Sequence, residues 1–189
     1  MSVIRLILIT VIFFTVSVLL LSTGCYQPSG PAAVVLPEEE EQEILREANP
    51  PGELNAVLYF ASNHGDKLVK EERTIEADGG DIREIILAEL IKGPHSPALN
   101  RTVPAGVKVL GVSVNSGIAS IDFSEEIRSG HWGGSTGEIL TVYSIVNTLA
   151  ELPEIEMVRF LIEGEEIETL AGHLDLSEPV YPDEGLIKN

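Results

Sequence analysis

Hydrophobic and polar positions along the chain fall into three regimes. Leu6 to Leu21 is apolar almost without interruption, LILITVIFFTVSVLLL. That is long enough for the core of an export signal and short of the about 20 apolar residues that span a bilayer comfortably. A polar stretch follows. Tyr26-Gln27-Pro28-Ser29-Gly30-Pro31 supplies Pro and Gly, Glu38 to Glu43 is acidic except for Gln42, and Asn49-Pro50-Pro51-Gly52 closes with turn formers. This composition reads as a flexible spacer. From Leu54 onward apolar residues recur at the short periods of a folded domain.

Within that domain the period changes several times. Ala56-Val57-Leu58-Tyr59-Phe60 is a compact strand-forming run, Asn63-His64-Gly65-Asp66 is a turn, and Leu68 to Ile75 returns as a second strand. Ile82, Ile85, Ile86 and Leu90 then follow helical spacing, with Asp81 placed to cap the helix and Gly93-Pro94 to stop it. After a loop from His95 to Val103, Val107 to Val114 reads as a strand, with Gly111 marking a bend. Asn115-Ser116-Gly117 is a tight hairpin connection into Ile118 to Phe123, whose alternation puts Ala119, Ile121 and Phe123 on one face. Ile139, Val142, Tyr143, Val146 and Leu149 form the stripe of a second helix over Thr136 to Leu149, capped by Ser135 or Thr136 and with Glu138 in its first turn. Met157 to Ile162 is a further strand, turning at Glu163-Gly164-Glu165 into a short strand or extension over Glu166 to Leu170. The order strand, strand, helix, strand, strand, helix, strand, strand predicts an α+β fold. It has two layers, a mixed or antiparallel sheet of five or six strands with two helices on one face.

Charge narrows the function classes. The 189 residues hold 12 Lys and Arg against 30 Asp and Glu, a formal net charge of −18. Nucleic acid and anionic lipid surfaces both demand clustered cations, so neither is expected as a partner. The 44% apolar content excludes a wholly disordered chain. Cys25 is the only cysteine, which excludes an internal disulfide framework and any multi-cysteine metal site.

The position of that cysteine carries its own signal. Ser22-Thr23-Gly24-Cys25 follows directly on the apolar run and resembles the bacterial lipoprotein processing box, with Ser22 where such boxes usually carry Leu. The resemblance implies cleavage between Gly24 and Cys25, acylation of the Cys25 thiol, and a chain held on the extracytoplasmic face of a membrane by its lipid. The domain boundaries expected are therefore a signal peptide over 1–24, a tether over 25–53, a folded domain over 54–178 and a tail over 179–189.

Catalytic and metal-binding patterns are thin. His64 and His95 sit in turns. His173-Leu174-Asp175 has the alternate spacing of a ligand pair but no third ligand nearby. Asp122, His131 and Ser135 contain the residue types of a nucleophilic triad, yet no Gly-x-Ser-x-Gly elbow presents Ser135. The glycines 130, 133, 134 and 137 lack the following Gly-Lys-Ser/Thr of a phosphate loop, although a helix N-terminus there could hold a small anion. Glu125-Glu126 and Glu165-Glu166 are adjacent acids that point apart in a strand, whereas glycosidase chemistry needs facing carboxyls. Trp132, the single tryptophan, reads either as a cap on the core or as a partly exposed interaction anchor.

Several runs taken in order carry a family resemblance. They are Leu90-Ile91-Lys92-Gly93-Pro94, Val103-Pro104-Ala105-Gly106-Val107, Ala119-Ser120-Ile121-Asp122-Phe123-Ser124, Gly134-Ser135-Thr136-Gly137-Glu138, Tyr143-Ser144-Ile145-Val146-Asn147-Thr148-Leu149 and Val158-Arg159-Phe160-Leu161-Ile162-Glu163-Gly164. Together they resemble the GerM domain of sporulation and spore-germination lipoproteins and other envelope proteins, over about residues 54 to 178. Thr169 to Asp175 is similar to the family's C-terminal end, which makes His173 and Asp175 family structure rather than a site. The resemblance implies a fold like the ring-building motifs of membrane-associated assemblies. It implies a non-catalytic module without cofactor that joins protein partners, or further copies of itself, in an envelope complex. The two alternatives in other classes are a peptidoglycan hydrolase using a carboxylate and a small-ligand-binding lipoprotein.

Overall fold

A computed structural model describes residues 52–77 and 79–188. The expected signal peptide, Cys25 and the tether up to residue 51 lie outside the described residues.

Strands β1 (Gly52–Ser62) and β2 (Leu68–Ala77) form the expected hairpin, in register from Gly52↔Ala77 to Ala61↔Leu68. Helix α1 (Ile82–Lys92) follows, capped by the Asp81 carboxylate, which accepts from the Arg83 N–H at 2.9 Å. The short strand β3 (Leu99–Asn100) pairs with the free side of β1 and completes a three-stranded sheet, β2-β1-β3. Strands β4 (Val109–Asn115) and β5 (Ile118–Phe123) are antiparallel. Ser116 and Gly117 both adopt positive φ between them, the geometry of a two-residue hairpin turn that matches strand twist. The register slips between Val109 and Gly111, as the glycine predicts. Helices α2 (Glu126–Ser129) and α3 (Ser135–Leu149) carry the chain over to β6 (Met157–Ile162), which runs parallel to β5. Strand β7 (Glu165–Glu166) ends the second sheet, β4-β5-β6-β7.

The α+β class is as expected, but the strands divide between two sheets rather than sharing one. The cause is β1, which is buried on both faces. Leu58 and Phe60 enter the main core, while Tyr59 and Ala61 meet Leu68 and Leu140 in a second cluster. A strand covered on both sides cannot be the half-exposed strand of a simple two-layer sheet. The predicted Glu166–Leu170 strand shortens to the two residues of β7. Beyond it Leu170 and Ala171 give their N–H groups to Glu138 instead of to a ladder.

The main core joins both sheets. Ala119, Ile121 and Phe123 of β5 face Val158, Phe160 and Ile162 of β6, with Phe123 and Phe160 rings stacked at 6.3 Å. Helix α3 supplies Val142, Ile145, Val146 and Leu149 to this core and Leu140 to the second cluster, and ten of its fifteen residues are buried. It is a core helix, not a surface helix with one apolar stripe.

Candidate interaction site

Residues just before α3 build a surface feature around Trp132. Gly133 and Gly134 both hold positive φ, and they turn the chain from the end of α2 into α3. Gly134 takes the N-cap position and offers no side chain, so neither of the expected caps, Ser135 and Thr136, fills it; both belong to the helix. Trp132 is left 53% exposed, lying against the first turn of α3. The fit requires a glycine at 137, because a Cβ there would sit 2.9 Å from Trp132 Nε1.

His131 holds the indole from below. Its ring stacks on Trp132 with centroids 5.2 Å apart. The Gly133 N–H donates to Nδ1 at 2.9 Å, which leaves Nε2 as the protonated nitrogen, 3.2 Å from Thr141 Oγ1. Thr141 in turn donates to the Thr102 carbonyl at 2.6 Å. Burial holds the imidazole below its ordinary pKa, outweighing the nearby Glu138 charge and the Gly137 carbonyl that favour the cation.

Beside Trp132 lies a cleft of about 370 Å³. Ala61, Leu140 and Trp132 give it apolar walls, and Arg101, Thr102 and Thr136 give it polar ones. Arg101 is anchored at the far end of α1, where its guanidinium donates to the Ile91 and Lys92 carbonyls. Thr102 is 1% exposed and its hydroxyl has no hydrogen-bond partner among the described residues.

The base of α3 is fixed by a group whose role the sequence reading missed. Glu138 is fully buried. Its Oε1 accepts from Thr169 Oγ1, the Leu170 N–H and the Ala171 N–H at 2.8 to 3.0 Å, and its Oε2 accepts from the His173 N–H at 2.8 Å. Burial would raise this carboxyl, but the four donors outweigh it and hold the group below its usual range. The signal was available. Glu138 falls in register with Val142, Ile145 and Leu149, all buried, at the spacing of one helix face.

The other candidates scatter. Asp122 accepts from the Gly164 N–H at 2.9 Å and meets neither His131 nor Ser135, so the three triad residue types do not assemble. His173 serves through its backbone and Asp175 accepts from Ser177, and no group of three metal-ligating side chains occurs among the described residues. His64 and His95 are exposed in their loops. Glu125, Glu163, Glu165, Glu166 and Glu168 line an acidic cleft with Arg128. Glu166 there is paired to Arg159 at 2.5 Å and the Glu163 carboxylate accepts the Glu125 N–H. The carboxyl held above its usual range is Glu84, through lost hydration and the neighbouring Asp81, and it lies on α1 away from that cleft. Among the described residues no helix is long and apolar enough to cross a membrane.

An α+β domain with a surface cleft, its indole fixed at the rim, is therefore the class of protein in hand. The chain belongs to the Germane family, described as sporulation and spore germination, whose model matches residues 57–168. Its fold is similar to the tandem GerMN domains of the sporulation protein GerM from Bacillus subtilis, at 22% identity, with 73% of this chain and 48% of that one covered and a TM-score of 0.56. It is also similar to the first GerMN domain of that protein, at 20% identity, with 68% and 97% covered and a TM-score of 0.55. The chain thus spans about half of the tandem structure. A Clostridium perfringens protein provisionally described as a lipoprotein aligns at 27% identity over 69% of this chain and 88% of that one, with a TM-score of 0.48. No curated protein matches the chain.

Proposed function

We propose that this protein is a lipid-tethered, extracytoplasmic interaction module of an envelope complex that serves sporulation or germination, and that it has no catalytic step of its own. The observation that carries the reading is Trp132. An indole 53% exposed yet held by ring stacking and by a glycine-shaped seat is a preformed anchor, costing a partner little ordering entropy. The membership in a sporulation and germination family supports the setting. The apolar run ending at Gly24-Cys25 supports the lipid anchor. Against a hydrolase stands the acidic cleft, where Glu166 is paired with Arg159 and the raised carboxyl of Glu84 lies elsewhere.

Fractionation tests the anchor. The wild-type protein is expected in the membrane fraction, resistant to salt, and Cys25→Ser is expected to move away from it. Equal membrane retention of Cys25→Ser would remove lipidation from the account.

A further inference from the structure

Each of the two sheets ends in two edge strands, and three of those four are poor templates for a further strand. Strand β2 exposes Lys70, Glu72 and Glu76 and is bridged at Leu68 by Ile187. Strand β3 is two residues long, and β7 is two residues long with both of them Glu. Strand β4 differs. Its seven residues, Val109–Asn115, include no charge and no proline. Leu110, one of three exposed large apolar side chains among the described residues, stands on it at 48% exposure. Proteins ordinarily block a long edge with charge, proline or short length, because its unpaired backbone groups invite another strand. Asn115 and Ile118 close the β4–β5 hairpin as a mutually bonded pair, so Asn115 and Ser113 direct their N–H and C=O groups at β5. Val112 and Val114 turn theirs to the open side, and no other group among the described residues bonds them.

We propose that β4 pairs antiparallel with β4 of a second copy of this chain, about a two-fold axis at Val112, so that two four-stranded sheets join into one. That register sets Val112 opposite its own counterpart, Leu110 opposite Val114 of the second copy and Gly111 opposite Ser113. It brings the outward backbone groups of the two strands together. It also continues across the seam the apolar face that Val112 and Val114 turn to the core, and gives Leu110 an apolar neighbour. Charge supports the same register. Lys108 is exposed just before β4 and falls opposite Ser116 of the second copy, next to Gly117. The exposed Glu156 side chain lies against Gly117, its carboxyl carbon 3.2 Å from where a Cβ would sit. The two-fold repeats this approach of cation to anion at both ends of the seam. A chain of net charge −18 thus meets its copy along a neutral strand flanked by opposite charges. Such a seam closes on itself and leaves only the blunted edges outside. The ladder is short, and tethering both copies to one membrane raises their effective concentration. The inference rests on the interaction-module reading and gives that module a partner, a second copy of itself.

Disulfide trapping tests the register. Gly111 and Ser113 of the second copy form a non-hydrogen-bonded pair, with Cα atoms about 4.5 Å apart and within disulfide reach. A Cβ at 111 meets nothing within 4 Å. Cells make two full-length chains together, one with Gly111→Cys and one with a tag and Ser113→Cys, and their membranes are oxidised. The mixed dimer is expected at about ten times the yield of either variant alone, of the wild type, whose one cysteine is Cys25, or of Glu72→Cys on β2 made with Ser113→Cys. Lys108→Glu or Glu156→Lys is expected to lower the yield about fivefold, and both reversals in one chain to restore it. Leu110→Glu, at an exposed position, is expected to leave the melting temperature unchanged and to abolish the dimer. A yield no higher than that of the β2 control, or reversals that fail to compensate, would overturn the pairing. Trapping of position 113 on a different envelope protein would overturn the second copy as the occupant. If no dimer forms while Trp132→Ala still removes partners in cells, the β4 pairing falls and the interaction-module reading stands.

Discussion

Glu138 concentrates four accepted hydrogen bonds on one fully buried carboxylate, so the chain from Thr169 to His173 depends on it. Glu138→Ala leaves three buried or half-buried N–H groups without an acceptor. It is expected to cost about 3 to 5 kcal/mol in chemical denaturation. The same group sets an acid limit. Its folded pKa is depressed, so its stabilisation is complete above the ordinary value of 4.5 and is lost as pH falls through the folded value. His131 acts in a higher window. Its folded pKa is also depressed, but it is a base, so the unfolded chain takes up the proton first as pH falls below 6.5. The wild type should therefore lose melting temperature between pH 7 and pH 5, and His131→Gln should lose less over that range. Equal slopes in the two proteins would show that the ring is not held neutral. The exposed reading of Trp132 and the Asp81 cap of α1 were legible at this scale from their neighbours in sequence, whereas the cap of α3 was not, because Gly134 takes that place without a side chain. The orphan hydroxyl of Thr102 was not, because burial without a partner is a property of the packed fold alone.

Helix α3 shows why element existence was easier to read than element environment. Its apolar stripe predicts one buried face, yet Thr141, Ser144, Asn147 and Thr148 are buried too. Each has a local partner that makes burial affordable: Thr141 the Thr102 carbonyl, Ser144 the Thr141 carbonyl, Asn147 the backbone of Asp183 and Thr148 the Tyr59 N–H. Ser144 finds its partner three residues back on the same helix, but the other partners are 36 to 89 residues away in sequence, out of reach of periodicity. By contrast β5, with Ala119, Ile121 and Phe123 inward, follows its alternation because one face meets the core and the other is only half buried. At the N-terminus of α3, Gly137→Ala is expected to keep the fold, since the alanine gains helix propensity of up to about 1 kcal/mol. It should displace the indole, read as a red-shifted emission and loss of partner binding. Unchanged emission would contradict the seat described for Trp132. A second element test concerns Arg73, which is 6% exposed. It joins β2 to the end of α1 through Glu71 at 2.5 Å and the Gly93 carbonyl at 2.6 Å. Arg73→Met leaves the Glu71 carboxylate without its counter-charge and should cost about 3 kcal/mol or more in urea unfolding.

Over the whole molecule, a chain of net charge −18 repels anionic polymers, so specific contacts must come from local chemistry. The cleft at Trp132 brings the apolar side chains of Ala61 and Leu140 together with the exposed indole in one place. The fold class was legible because alternation and helical spacing are local, periodic signatures. The site was legible only in its tryptophan, because Ala61, Arg101, Thr102 and Leu140 come from separate elements that the topology brings together. The measurement that tests the central claim most directly is photo-crosslinking in intact cells. A crosslinking residue replaces Trp132 in one strain and Tyr181, which is 63% exposed, in another. The account predicts discrete adducts with envelope proteins from position 132, absent from position 181 and reduced when Cys25→Ser is added. The same adducts from both positions, or none from position 132, would contradict it.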